Sequence, residues 1–233
     1  MSPSRITHAL VVVPARDEET LIGRCLDALD RAVASVRATH PQVVVRTLIV
    51  ADACTDDTEG IVRSSGTAEL VVSDAGRVGA AREHGVRLGL ASFGRIDPAE
   101  IWIANTDADS AVPDNWLTHQ LDLADEGTDV LVGTVRPDPA DLTAEQDAAW
   151  LATHERGRPN GHVHGANLGL RASAHLGAGG FDAVEEHEDN LLVRRLQDAG
   201  AAITASDSAE VVTSGRASGR TPGGYAAYLA RTL

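Results

Sequence analysis

Strand-like and helix-like segments alternate through the first half of this 233-residue chain, and that alternation constrains the fold more than any other feature. Leu10 to Val13 is a continuous β-rich run ended by Pro14, as expected of a strand buried on both faces. Leu21, Ile22, Cys25, Leu26, Leu29, Val33 and Val36 recur at helical spacing, which predicts one amphipathic helix over about Glu18 to Ala38. Val43 to Val50 reads as a second strand, and Thr55-Asp56-Asp57-Thr58 supplies capping residues for a short helix. Leu70 to Val72 is a third strand, Val78 to about Leu90 a helix, and Ile101 to Ala104 a fourth strand. This series predicts an α/β fold with a parallel, doubly wound sheet and right-handed crossovers. Ligands of such sheets bind at the carboxyl ends of the strands.

The second half is less regular. Pro113 opens a helix through about Asp125, Val130 to Val135 is a strand, and about Leu142 to Glu155 is helical. Glycine then becomes frequent (Gly157, Gly161, Gly165, Gly169, Gly177, Gly179, Gly180), which signals turns and close backbone approach. A helix over about Asp189 to Ala199, a strand near Ile203 and a C-terminal helix around Tyr225 to Arg231 complete the chain. The length fits one domain, residues 1–233.

Composition narrows the chemistry. All 20 basic residues are arginine, set against 34 acidic residues for a net charge of −14. Without lysine there is no Schiff-base amine, no P-loop lysine and no lysine general base. An arginine-favouring, GC-rich genome is explanation enough for that bias. The acidity argues against nucleic acid and against an anionic membrane surface as partners. Only Cys25 and Cys54 are present, too few for a disulfide scaffold, so a reduced, cytoplasmic protein is expected. No apolar run approaches the roughly 18 residues of a membrane span, and Met1 to Arg5 leads straight into a strand without a signal-peptide pattern.

Polar residues gather where the expected strands end: Pro14-Ala15-Arg16-Asp17-Glu18-Glu19, Asp52-Ala53-Cys54-Thr55-Asp56-Asp57 and Asn105-Thr106-Asp107-Ala108-Asp109-Ser110. Glu19, Asp56 and Asp57 are accounted for as helix-capping acids. Asp107 and Asp109 are not, because the next helix starts only at Pro113 and two carboxylates so spaced repel each other. A shared hard cation relieves the repulsion, and Mg²⁺ or Mn²⁺ completed by water and substrate phosphate fits the ligand type.

The ordered series VVVPARDEE, IVADACTDDT, GRVGAAREHG, WIANTDADS, HGANLGLR, GGFD and EHEDNLLVRRLQDAG resembles the family 2 glycosyltransferases of the GT-A fold, over about Leu10 to Arg216. The resemblance implies a Rossmann-like, mostly parallel sheet flanked by helices. Residues 1–110 would be a nucleotide-binding half, and residues 111–233 a smaller acceptor-side lobe with a flexible C-terminal segment. It also implies a nucleotide-diphosphate sugar donor, a divalent metal and a hydroxyl acceptor of unknown identity; a homodimer stays open. By position, Pro14, Ala15, Arg16 and Glu18 would border the nucleotide, Asp52 would read the base, and Gly79 and Arg82 would lie beside it. Asp107, Ala108 and Asp109 match the D-x-D segment, with Asp109 the direct metal ligand and Asp107 its companion. Asn167 would line the donor-sugar and acceptor region, Glu188 would stand beside the donor, and Asp189 would be the catalytic base. Arg216 and Arg220 would reach the diphosphate. Direct displacement with these parts inverts the anomeric centre.

The chain departs from the family pattern in places. Ala51-Asp52 stands where an acidic pair is usual, and Asp17 where asparagine is common. The histidine that many relatives place late as a third metal ligand is missing, which leaves His187, a carboxylate or water. His162 and His164 read as a surface feature rather than a zinc site. The rivals are a nucleotidyltransferase, which wants a glycine-rich loop with a phosphate-binding lysine, and an inactive sugar-nucleotide binder, for which the missing acid at Ala51 is the only hint.

Overall fold

The structure, a computed structural model, describes residues 4–155, 157–159, 161–184 and 186–216. The expected first-half strands form as β1 (His8–Ala15), β2 (Val44–Asp52), β3 (Glu69–Ser73) and β4 (Ile101–Asn105). They are followed by β5 (Ser110–Ala111), β6 (Val130–Pro137), β7 (Leu168–Arg171) and β8 (Ile203–Thr213). All belong to one sheet in the order β3-β2-β1-β4-β7-β6-β8-β5. β1 pairs in parallel with β2 and β4, β2 with β3, and β6 with β8. β7 is the exception at the centre, antiparallel to both β4 and β6, and the short β5 runs antiparallel to β8.

β1 runs through Pro14 rather than stopping at it. The Val12 carbonyl accepts from Thr106 N–H, so the backbone of Val12, and of Pro14 two residues on, faces β4. The β4 ladder ends at the Val12–Asn105 pair, so the missing proline N–H forfeits no bond.

Helices cover both faces. α1 (Ile22–Thr39), α2 (Thr58–Ser65) and α4 (Trp116–Asp125) pack over Val11, Val13, Ile49, Trp102 and Leu131. α3 (Val78–Ser92), α6 (Ala172–Gly177) and α7 (Glu188–Asp198) pack over Leu10, Val12, Val50, Ile103 and Leu168. Successive residues of β1 therefore enter opposite cores, which is why its sequence is apolar without alternation. α5 (Ala144–Thr153) follows β6 and starts with a capping box, Thr143 accepting from Gln146 N–H and Gln146 accepting from Thr143 N–H.

Several boundaries differ from the sequence expectation. α1 begins at Ile22 because Glu18 closes a separate turn, its carbonyl accepting from Leu21 and Ile22 N–H. β7 lies inside the glycine-rich stretch read as turns. There Gly169 is required because a Cβ would fall 2.5 Å from the Trp102 ring and from Gln120 Oε1. β8 extends for 11 residues from the strand expected only near Ile203. The expected C-terminal helix at Tyr225 to Arg231 and the C-terminal segment with Arg220 lie outside the described residues. Among the described residues no helix is long and apolar enough to cross a membrane.

Candidate active site

At the carboxyl ends of β1, β2 and β4 the chain leaves the sheet through three polar loops, and these are braced against one another. Thr58 Oγ1 accepts from Glu18 N–H at 2.8 Å, Asp56 accepts from Glu19 N–H at 2.9 Å, and Glu19 accepts from Asp57 N–H at 3.0 Å. Two of the acids read as helix caps, Glu19 and Asp56, therefore tie one loop to the next. Asp17 and Ala53 both take positive φ here, 49° and 51°, so the turns leaving β1 and β2 are sharp. Asp17 holds the Thr55 N–H and hydroxyl.

The loop after β4 carries the D-x-D segment. Ala108, between the two aspartates, is buried in the core beneath α1. Asp109, its side chain 13% exposed, accepts from Thr213 Oγ1 at 3.2 Å and Ser110 Oγ at 3.3 Å and pairs with Arg216 at 2.9 Å. Arg216 also forks onto buried Glu18, at 2.9 and 3.2 Å. One guanidinium from the end of β8 thus bridges the β1 loop and the β4 loop.

Asp107 belongs to a second constellation built on Arg82 of α3, whose side chain is 2% exposed. Arg82 pairs with Asp107, donates to the Gly165 carbonyl at 3.0 Å, and lies with Nε 3.3 Å from Glu188 Oε1, a charge contact without hydrogen-bond alignment. Gly165 in turn donates its N–H to Asp189 Oδ2 at 2.7 Å, while Asp189 Oδ1 accepts from Asn190. Gly79 makes this meeting of α3 and α7 possible: a Cβ there would collide with the Asp182 carbonyl and stand 2.9 Å from Glu188 Cβ.

Carboxylates dominate the electrostatics. Burial, with Asp107 beside it, pushes Asp109 up to about 6 despite Arg216. Burial likewise raises Glu188 against the pull of Arg82. Burial works against the charge on Arg82 and Arg216, yet their carboxylate neighbours hold both above the ordinary arginine value. The site is short of positive charge, and Asp107 and Asp109 offer oxygen ligands alone, so these residues fit a hard divalent cation.

The remaining expected site residues are placed as follows. Buried Asp52 accepts from Gly76 N–H at 3.1 Å, and exposed Arg16 donates to the Gly76 carbonyl at 3.4 Å, so both border the loop after β3. Pro14 and Ala15 are the last residues of β1, and the Ala15 carbonyl faces the Cys54 thiol. Asn167 turns its amide inward, donating to the Thr134 and Ala209 carbonyls at 2.9 Å each and accepting from Trp116 Nε1 at 2.9 Å. It holds the turn after Gly165 in place with no polar atom left over for a ligand. His187, with positive φ at the start of α7, is 61% exposed and pairs with Glu186 at 3.7 Å. Among the described residues, the one set of three metal-competent side chains within 4.8 Å is Asp17, Cys54 and Asp56, which includes neither the Asp107 and Asp109 pair nor His187, His162 and His164. Thr213 and Ser110, which support Asp109, carry no sequence signal that would have singled them out.

The sequence profile of glycosyl transferase family 2 matches residues 10–174. No curated protein matches the chain in sequence. Among solved structures, S. aureus TarS residues 1–349 is 16% identical with a TM-score of 0.61, the match covering 90% of this chain and 60% of that one. A mannosyltransferase of Pyrobaculum calidifontis, in complex with GDP-Man and Mn²⁺, is 18% identical with a TM-score of 0.61 over 93% of this chain and 59% of that one. Glucosyl-3-phosphoglycerate synthase of Mycobacterium tuberculosis, in complex with Mn²⁺, UDP and phosphoglyceric acid, is 17% identical with a TM-score of 0.57 over 91% and 72%. The chain therefore spans about 60% of the length of the first two structures, and its fold is that of the GT-A glycosyltransferases.

Proposed function

Because the chain belongs to glycosyltransferase family 2, we propose that it moves a sugar from a nucleotide-diphosphate sugar to an acceptor hydroxyl with inversion at the anomeric carbon. The observation that carries this reading is the convergence of Asp109, Glu18 and Arg216 with Asp107, Arg82 and Asp189 at the carboxyl ends of the strands. Asp52 and the loops around Gly76 and Arg16 would receive the nucleoside. Mg²⁺ or Mn²⁺ held by Asp109, with Asp107 beside it, would supply Lewis-acid neutralisation of the departing diphosphate.

The rest is the work of this chain's own side chains. Arg216 would exchange its carboxylate partners for phosphate oxygens, which its fork suits. Arg82 would keep Asp107 and Glu188 charged and in position. Asp189, fixed through one oxygen by Gly165, would take the proton of the attacking hydroxyl, a step worth about 10²–10⁴-fold. A reduced, cytoplasmic setting agrees with the free thiols of Cys25 and Cys54.

A thermal-shift screen of UDP-, GDP- and TDP-sugars with and without Mn²⁺ tests the reading. Stabilisation by one nucleotide that depends on metal is expected, by mass action on the native state. Asp189→Asn should then abolish turnover and keep donor binding. No shift with any donor favours a protein without this activity.

A further inference from the structure

Thr134 Oγ1, Arg136 Nε and Trp150 Nε1 are buried polar atoms without a hydrogen-bond partner. The other indoles are satisfied, Trp102 by Gln120 at 2.8 Å and Trp116 by Asn167 at 2.9 Å. Trp150 is the exception although it is only 4% exposed. Buried donors are normally paired, so a group of them left over is a demand for acceptor atoms.

Two of these donors, those of Arg136 and Trp150, lie together. The Arg136 guanidinium carbon lies 5.4 Å from the Trp150 ring centroid, and His154 stacks on that ring at 3.7 Å and 9°. Arg136 is tied to Asp147 through Nη2 at 3.0 Å, which leaves its Nε edge unused. Thr134 precedes it by two residues on β6, across the register shift between Gly133 and Val135. The cluster adjoins the proposed base: the Thr134 carbonyl accepts from Asn167, Asn167 N–H donates to the His164 carbonyl, and the next residue, Gly165, holds Asp189. Guanidinium and indole only donate, and an arginine edge matches an oxyanion. Asp147 balances the charge of Arg136, so what the spot offers is unmet donors rather than net positive charge.

We propose that the acceptor substrate carries an oxyanion, a phosphate or a carboxylate, which Arg136 and Trp150 hold while its hydroxyl faces Asp189. The identification of this ligand as the acceptor rests on the transferase reading above.

The test reads the indole itself. The full chain has three tryptophans, so ¹⁵N-indole labelling gives a small set of resonances, and Trp150→Phe identifies one by its loss while the other two report that the fold persists. Titration with inorganic phosphate, and separately with acetate, should move the Trp150 resonance saturably and leave those of Trp102 and Trp116 in place. Response to phosphate alone assigns a phosphate-bearing acceptor, and response to acetate a carboxylate. Arg136→Gln should weaken the apparent affinity by about 10- to 100-fold, the loss of one charge-assisted hydrogen bond. The same variant should raise the acceptor KM and leave the donor KM unchanged.

No saturable movement, an equal movement in chloride at matched ionic strength, or an unchanged affinity in Arg136→Gln overturns the proposal. The two readings fail separately. Donor binding with a silent Trp150 removes the oxyanion site and keeps the transferase. A responsive Trp150 without binding of any sugar nucleotide keeps the site and removes its assignment to an acceptor.

Discussion

Replacing Arg82 with methionine tests whether the site is held together by a buried charge network. Methionine keeps much of the apolar stem and removes the guanidinium. In the native protein that group is 2% exposed and serves Asp107, the Gly165 carbonyl and Glu188. After Arg82→Met, the Glu188 side chain, 6% exposed, is left as a buried carboxylate with no cation. Removing one partner of such a pair costs about 3–5 kcal/mol. Asp107, 35% exposed, regains water and adds little. A domain of this kind has about 5–15 kcal/mol in total, so the variant should fold but unfold easily.

The pH dependence sharpens the test. Burial already raises Glu188, and losing Arg82 raises it further. A carboxylate raised in the folded state binds its proton more tightly there than in the unfolded chain. The penalty is therefore full at high pH and fades as pH falls through the folded value, by about 1.4 kcal/mol per pH unit for one proton. Urea unfolding followed by circular dichroism at pH 8 and pH 5.5 measures it. The gap between wild type and variant should narrow by more than about 1 kcal/mol at the lower pH. A loss below about 1 kcal/mol, or a gap equal at both pH values, would refute the reasoning.

Other outcomes follow from single residues. Gly79→Ala should lower stability by about 1–3 kcal/mol in the same unfolding assay, because the added Cβ meets the Asp182 backbone and Glu188. Asn167→Asp sets a carboxylate against the Thr134 and Ala209 carbonyls and should cost about 2–4 kcal/mol, visible as a lower thermal midpoint. Burial opposes the charge of Glu83, but the His175 hydrogen bond and charge, the Phe181 N–H and Arg87 together outweigh it and hold the carboxyl below its usual range. That contribution is present above the unfolded value and lost as pH falls through the folded one, so the deficit of Glu83→Gln should shrink between pH 5 and pH 3.5. Burial raises both thiols, Cys25 far more than Cys54, so a native-state thiol titration should label Cys54 slowly and reach Cys25 only in denaturant.

The local pattern of the chain determined the strands β1 to β4, the helices other than α6, and the ends at which polar residues gather. Val11 and Val13 face one core and Val12 the other, so a run that is apolar throughout already specified a strand covered on both sides. The D-x-D pair stood out as well, because two aspartates so close, away from a helix start, repel each other; in the fold Asp107 pairs with Arg82 and Asp109 with Arg216. Tertiary structure alone decided the rest. The antiparallel β7 was hidden by its four-residue length and by a glycine that exists to admit Trp102 and Gln120. Asn167, which reads as a ligand in sequence, is spent on two carbonyls and an indole that are 33 or more residues away. Arg82 joins Asp107, Gly165 and Glu188 across α3, the β4 loop and α7, and Arg216 joins Glu18 to Asp109 across nearly the whole chain. Sequence periodicity reports which face of an element is apolar. Which charge meets which depends on how distant elements dock, and in this protein those meetings make the site.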